Sequence, residues 1–165
     1  MRTIEQYLPD HPFFEGLDAP TLALVAGCAT NISLSAGEYL CHEGDPADQF
    51  FVVRRGRVAI EVHGPAAGTL VLDTADEGDV VGWSWLVPPY VSTFDARAVE
   101  DTGTVAFDGR CLRSKCEQDP RLGYELMKLV TQVMFGRLVA ARVGLLDLYG
   151  TGGTTATGNT DAAPR

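Results

Sequence analysis

Between Asn31 and Phe107 short β-prone runs alternate with glycine-centred turns, and after Asp119-Pro120 one unbroken helical pattern takes over. A change of apolar period from two to about 3.6 leaves few folds open. Ile32 and Leu34 alternate with serines, Ala36-Gly37 turns the chain into Glu38-Tyr39-Leu40-Cys41, and His42-Glu43-Gly44-Asp45-Pro46 is a dense turn signal. Gln49 to Arg54, Val58 to Val62, Thr69 to Asp73, Phe94 to Val99 and Thr104 to Phe107 are further strand candidates, with a loop from His63 to Gly68. Many short strands at regular spacing predict an antiparallel barrel or jelly roll.

Helices flank this region. Asp18 is a helix N-cap candidate with Pro20 in the first turn, and Leu22, Val25, Ala26 and Ala29 mark one buried face, so a helix is predicted through Ala29. The segment before it, with Pro9, Pro12, Phe13 and Phe14, receives no element. Arg110 to Gln118 predicts a short helix, and Asp119-Pro120 opens a long one to about Tyr149. On that helix Met127, Thr131, Met134, Leu138, Ala141, Leu145 and Leu148 recur at alternating steps of four and three, a coiled-coil seam. Leu122, Leu126, Leu129 and Val133 lie on another side. The helix is therefore expected to dock on its own barrel and to pair with a second copy; a single broad core-facing stripe is the alternative. The expected organisation is one domain over 1–149 and a disordered, Thr- and Gly-rich tail over 150–165.

Charge and composition narrow the function. Thirteen bases against 22 acids give a net charge of -9, which argues against a nucleic-acid partner, because such surfaces need Lys and Arg against phosphates. Cys28, Cys41, Cys111 and Cys116 follow no metal-ligand spacing and are expected as reduced thiols, Cys28 in the core. No apolar run approaches the roughly 18 to 20 residues of a membrane span, and Met1 to Pro12 lacks a secretory signal. The expected location is the cytoplasm.

The stretch Gly78 to Ala98 carries the functional expectation. Gly78-Asp79-Val80-Val81-Gly82 turns into Trp83-Ser84-Trp85-Leu86, predicted as a very short helical piece; Val87-Pro88-Pro89-Tyr90-Val91 breaks it, and Ser92 to Ala98 returns as a strand. Glycines before a helical turn leave backbone N–H groups open to an anion.

Gly37-Glu38-Tyr39-Leu40 with Glu43-Gly44-Asp45, then Phe50-Phe51-Val52-Val53 to Gly56-Arg57-Val58, then Gly78 to Gly82, together resemble the cyclic nucleotide-binding domain of catabolite-activator-type regulators. The likeness covers about Pro12 to Tyr149. It implies a mainly β fold, an antiparallel β-roll (a double-stranded β-helix or jelly roll) with an N-terminal helix, a short helix and a long C-terminal dimerisation helix.

In that family the phosphate-binding cassette reads Gly-Glu-x-Ala/Gly-Leu, a short loop, then Arg-Ser/Thr-Ala. Its Glu bonds the ribose 2′-hydroxyl and its Arg pairs the cyclic phosphate. Here Gly82-Trp83-Ser84-Trp85-Leu86 takes the first part, with Trp83 in the Glu position, and Ser92-Thr93-Phe94 takes the second, with Ser92 in the Arg position. The ligand-binding residues implied are Gly82, Trp83, Ser84, Trp85, Leu86, Ser92 and Thr93. Both charged contacts are missing, so a cyclic nucleotide or other small anion would be held by backbone N–H groups and hydroxyls alone. Truncating one side of a buried charged pair typically costs about 2–5 kcal/mol.

Arg97 would supply the missing charge only if the strand were shifted; it lies five residues past Ser92, so strand alternation points it to the opposite face, as a surface or Asp95-paired arginine. Trp83 and Trp85 with Tyr90 are read as an aromatic wall for a flat ring, as a plug filling the pocket, or as lid packing.

The resemblance also implies a helix-turn-helix domain after the long helix, where this chain has only the tail; output is then expected through a partner protein or dimer geometry, with no direct DNA binding and no membrane. Three functions compete: a small-molecule sensor with a non-standard pocket, a ligand-free adaptor or regulatory subunit, and a cupin-like enzyme. Cupin chemistry needs metal-binding histidines, and His11, His42 and His63 are isolated in sequence, with no His-x-His pair and no legible nucleophile–base pairing. No enzyme activity, metal or resident cofactor is expected.

Overall fold

A computed structural model describes residues 2–66 and 68–150. The chain divides into two compact units, one reaching Thr131 and one starting at Gln132; 151–165, where a disordered tail was expected, lie outside the described residues.

The first unit begins with helical pieces that the sequence reading left unassigned. Helix α1 (Ile4–Tyr7) is closed by a capping box, Thr3 and Gln6 each bonding the other's backbone N–H. Two 3₁₀ turns follow, Leu8–Asp10 and Pro12–Phe14, each with a proline in its first turn. Helix α2 (Ala19–Ala26) starts at Asp18, whose side chain accepts from Thr21 N at 2.9 Å. It stops at Gly27, short of the predicted end, because Ala29 already belongs to a strand.

The strands are β1 (Ala29–Leu34), β2 (Tyr39–Cys41), β3 (Gln49–Arg55), β4 (Val58–Gly64), β5 (Gly68–Ala75), β6 (Val80–Val81), β7 (Asp95–Ala98) and β8 (Thr102–Asp108). They form two antiparallel four-stranded sheets, ordered β1-β8-β3-β6 and β2-β7-β4-β5. Alternation along the strands makes two cores. Between the sheets pack Phe51, Val53, Val58, Ile60, Ala75, Val81, Ala96 and Ala106, with Ile32, Leu40, Cys41 and Phe94 partly buried against them. The opposite face of the first sheet presents Phe50 and Phe107, stacked at 4.4 Å and 7°, to the helical pieces, where Phe14 meets Phe107 at 5.5 Å. Gly56 makes the tight β3–β4 turn at φ +84°, where a Cβ would meet Thr102 Oγ1 at 2.6 Å and the Asp101 carbonyl at 2.8 Å.

Helix α3 (Gly109–Gln118) is capped by Asp108, whose side chain accepts from Cys111 N. Helix α4 (Pro120–Gly150) contributes Leu122, Leu126, Leu129 and Val130 to the buried core of the first unit. In the second unit Met134, Phe135, Leu138, Val139, Val143, Leu145, Leu146, Leu148 and Tyr149 are exposed.

The cysteine expectation is corrected. Cys28 and Cys111 are joined by a disulfide, with Cα atoms 5.9 Å apart, while Cys41 and Cys116 are free thiols. The pairing was hidden because 83 residues separate partners that the β1–β8 ladder brings side by side, Ala29 opposite Phe107. By length and composition, α4 is also apolar enough to cross a membrane. An uninterrupted apolar run is the stricter test; this helix carries Arg137 and Arg142 within its apolar stretch.

Candidate functional site

The site expected at 82–93 is one long turn between β6 and β7. Val81 and Val80 pair with Phe51 and Val52, and Gly82, at φ +82°, redirects the chain out of the sheet. In place of the predicted short helical piece there are successive turns: Leu86 N to Trp83 O and Val87 N to Ser84 O at 3.3 Å, then Tyr90 N to Val87 O at 3.0 Å. Pro88 disfavours helical backbone at Val87, and two prolines cannot donate the next helical bonds. The returning arm pairs with the β2–β3 connection through Ala47 N to Tyr90 O, Gly44 N to Ser92 O and Ser92 N to Asp45 O, each 2.8 Å.

The predicted site residues do not share one environment. Trp85 is 1% exposed, its ring stacked on Phe50 at 5.0 Å, and a Cβ on Gly109 of α3 would lie 3.0 Å from its Cβ. It is a core side chain beneath α3; as a wall for a ring ligand it is withdrawn. Gly82, Trp83, Ser84, Leu86 and Ser92 are half-buried, Thr93 is exposed, and Tyr90 is exposed at a left-handed φ of +58°. Phe94, in the cassette's Ala position, packs against the cluster between the sheets.

Charge near the turn is already committed. Arg97 donates to Glu61 in a fork, Nε to Oε2 at 3.1 Å and Nη2 to Oε1 at 2.5 Å, and Glu61 is fully buried. This corrects the Asp95 pairing: β7 runs antiparallel to β4, which sets Asp95 opposite Glu61 and Arg97 opposite Ala59. The bonds to Glu61 raise the Arg97 pKa further. Asp95 accepts from Glu43 N at 2.7 Å, with His63 Nδ1 3.1 Å and His42 Nδ1 3.7 Å away.

So two of the histidines, isolated in sequence, meet at one carboxylate. Among the described residues, however, no group of three His, Cys, Asp or Glu is arranged to hold a metal ion. The Cys41 thiol bonds the Phe94 carbonyl at 3.8 Å, and its pKa is raised, chiefly by burial. Thr104 on β8 shares a strand face with Ala106 of the inner cluster, and its buried hydroxyl has no hydrogen-bond partner among the described residues.

Sequence reading missed Glu61, Thr104 and Arg113. Glu61 had a signal, a lone acid in the β run Val58 to Val62. Arg113 sits in a charged short helix and only topology brings it to the turn.

A family model described as the cyclic nucleotide-binding domain matches residues 31–119. The chain belongs to the cyclic nucleotide-binding domain family. It is similar to a crystal structure of a putative cyclic nucleotide-binding protein from Geobacter metallireducens (26% identity, TM-score 0.75, covering 84% of this chain and 99% of that one). Among curated proteins it resembles the CRP-like cAMP-activated global transcriptional regulator of Mycobacterium tuberculosis, 22% identical over 90% of this chain and 64% of that protein. It also resembles cyclic nucleotide-gated ion channel 18 of Arabidopsis thaliana, 28% identical over 67% of this chain and 17% of the channel. The chain thus spans less than two thirds of the length of these curated relatives. As a member of the cyclic nucleotide-binding domain family, it is a regulatory domain built on the β-roll.

Proposed function

We propose that this chain is a non-enzymatic regulatory module whose β-roll does not hold a cyclic nucleotide in the family's manner, and which acts through a partner protein. The observation that carries this reading is Phe94. A phenyl ring occupies the Ala position of the cassette and packs into the apolar cluster between the sheets. Arg97, the arginine nearest in sequence to Ser92, is tied to buried Glu61. A phosphate entering this interior would lose its hydration without a charge-assisted partner. A similar fold in a Trypanosoma brucei regulatory subunit belongs to a kinase described as cAMP-independent (21% identity, TM-score 0.60).

Thr104 favours a second reading, a neutral ligand with a hydrogen-bonding edge, because its buried hydroxyl lacks a partner among the described residues. A comparable Trypanosoma cruzi subunit is described as bound to guanosine, a nucleoside without phosphate. Titration with cyclic AMP, cyclic GMP and guanosine, following tryptophan emission and melting temperature, tests both readings. A ligand that binds only the folded state must raise the melting temperature. A flat response to all three supports the first reading, a response to guanosine alone the second, and saturation by micromolar cyclic nucleotide overturns both.

The dimer belongs to the same proposal. Met127, Met134, Leu138, Leu145 and Leu148 are exposed along the seam with Thr131 and Ala141, and pairing with a second copy would cover them. Sedimentation should give twice the chain mass, and L138E with L145E should give a monomer. A wild-type monomer that floats with neutral lipid vesicles would overturn the dimer.

A further inference from the structure

A side chain of α3 hydrogen-bonds the 82–92 turn. Arg113 donates from Nη1 to the Trp85 carbonyl at 2.6 Å and the Ala47 carbonyl at 3.2 Å, and from Nη2 to Asp48 Oδ1 at 3.1 Å. Its guanidinium also lies 4.6 Å over the Tyr90 ring. These four groups come from both arms of the site, the β2–β3 connection and the turn, and the arms are themselves linked by Ala47 N to Tyr90 O. The planar fork of an arginine can serve two carbonyls and a carboxylate at once; a lysine ammonium on the same stem lacks that fixed geometry. The first turn of α3 adds Gly109 N to the Asp48 carbonyl at 2.7 Å and Arg110 to Asp48 Oδ2 at 2.8 Å, but neither residue bonds the 82–92 turn.

We infer that Arg113 is a positioning residue that makes the Trp85–Tyr90 turn and α3 move as one body. A displacement of the turn must either break the bond to the Trp85 carbonyl and the Tyr90 ring contact or carry α3 with it, while the bonds to Ala47 and Asp48 hold α3 to the β2–β3 connection. The reverse holds equally: a partner that shifts α3 reaches the turn through Arg113. The inference rests on the reading of 82–92 as the functional turn, and it names how that turn is regulated.

The test compares R113A, R113K and R110A in the full chain by amide hydrogen exchange and near-ultraviolet circular dichroism of the two tryptophans. In R113A, exchange at Leu86, Val87 and Tyr90, whose amides bond within the turn, should rise about tenfold or more, the scale expected for a lost charge-assisted hydrogen bond. The tryptophan signal should change with it. R113K should recover part of this protection, and R110A, which loses an Asp48 bond but no turn contact, should leave the turn unchanged.

Unchanged turn exchange in R113A, or equal loosening in R110A, would overturn the inference. Should R113A not fold, R113K against R110A decides by the same criterion. Cyclic nucleotide binding to the wild type would overturn the proposed function while leaving this exchange pattern intact, so the two failures are distinguishable.

Discussion

Arg97 on β7 and Glu61 on β4 form a forked ion pair on the face of the second sheet that points away from the roll interior. A buried carboxylate with one guanidinium partner is costly to leave alone, whereas replacing both partners by apolar groups is often tolerated. R97M should lower the melting temperature by several degrees, and the double variant R97M/E61L should recover most of the loss. A double variant no better than R97M would mean that packing, rather than the charge on Glu61, sets the cost.

Trp85 anchors the turn from the other side, stacked on Phe50 beneath α3. Truncating a fully buried tryptophan typically costs about 3–5 kcal/mol. W85A should therefore show a large drop in urea midpoint, while W83F, at a half-buried position, should stay within about 1 kcal/mol of wild type. Equal losses in the two variants would contradict the division of roles between the tryptophans.

His11 couples stability to acidity. It is nearly buried, its Nδ1 accepts from Phe13 N at 3.2 Å, and its Nε2 faces the Gly78 backbone without a well-formed hydrogen bond. Burial lowers its pKa below 6.5, outweighing the opposing Gly78 and Asp79 contributions. The unfolded chain then binds more protons between the folded value and 6.5. The contribution of His11 is fully present above about pH 6.5 and is lost as pH falls toward the folded pKa. H11N keeps a cap acceptor without the titration, so the loss of melting temperature from pH 7 to pH 5 should be smaller than in wild type. Identical slopes would remove His11 from the acid response.

The apolar patterns legible in the sequence were those with a short period. Seven of the eight strands could be read from β-prone runs and glycine turns, as could the α4 seam, because each is a local repeat. Val80–Val81 was too short to stand out alone, and it is a strand only because Phe51 and Val52 pair with it. The cassette departures at Trp83 and Ser92 were also visible in the sequence. The Glu61–Arg97 pairing, the reach of Arg113 to the turn and the disulfide were not, because each joins residues 28 to 83 positions apart. The helical pieces before Asp18 did carry a signal, the Thr3-Gln6 capping spacing, which the prolines obscured.

The Cys28–Cys111 bond predicts a redox dependence. Chain-entropy arguments put a disulfide of this span at about 4.5 kcal/mol through restriction of the unfolded chain, against a typical contribution of about 2–4 kcal/mol. Reductant should lower the urea midpoint of the wild type and leave C28A/C111A unaffected. A wild type insensitive to reductant would mean that the thiols are not joined in solution.

That bond closes just outside the β1–β8 ladder, so every strand lies on one covalent ring from residue 28 to residue 111. A single protease cut anywhere within the roll therefore opens a ring instead of releasing a fragment. The two pieces stay one molecule, concentrated against each other by their tether, and can re-form both sheets. A roll nicked in the His63–Gly68 hairpin would keep the mass of the intact chain plus one water, and would come apart only when a thiol reagent reached the Cys28–Cys111 bond.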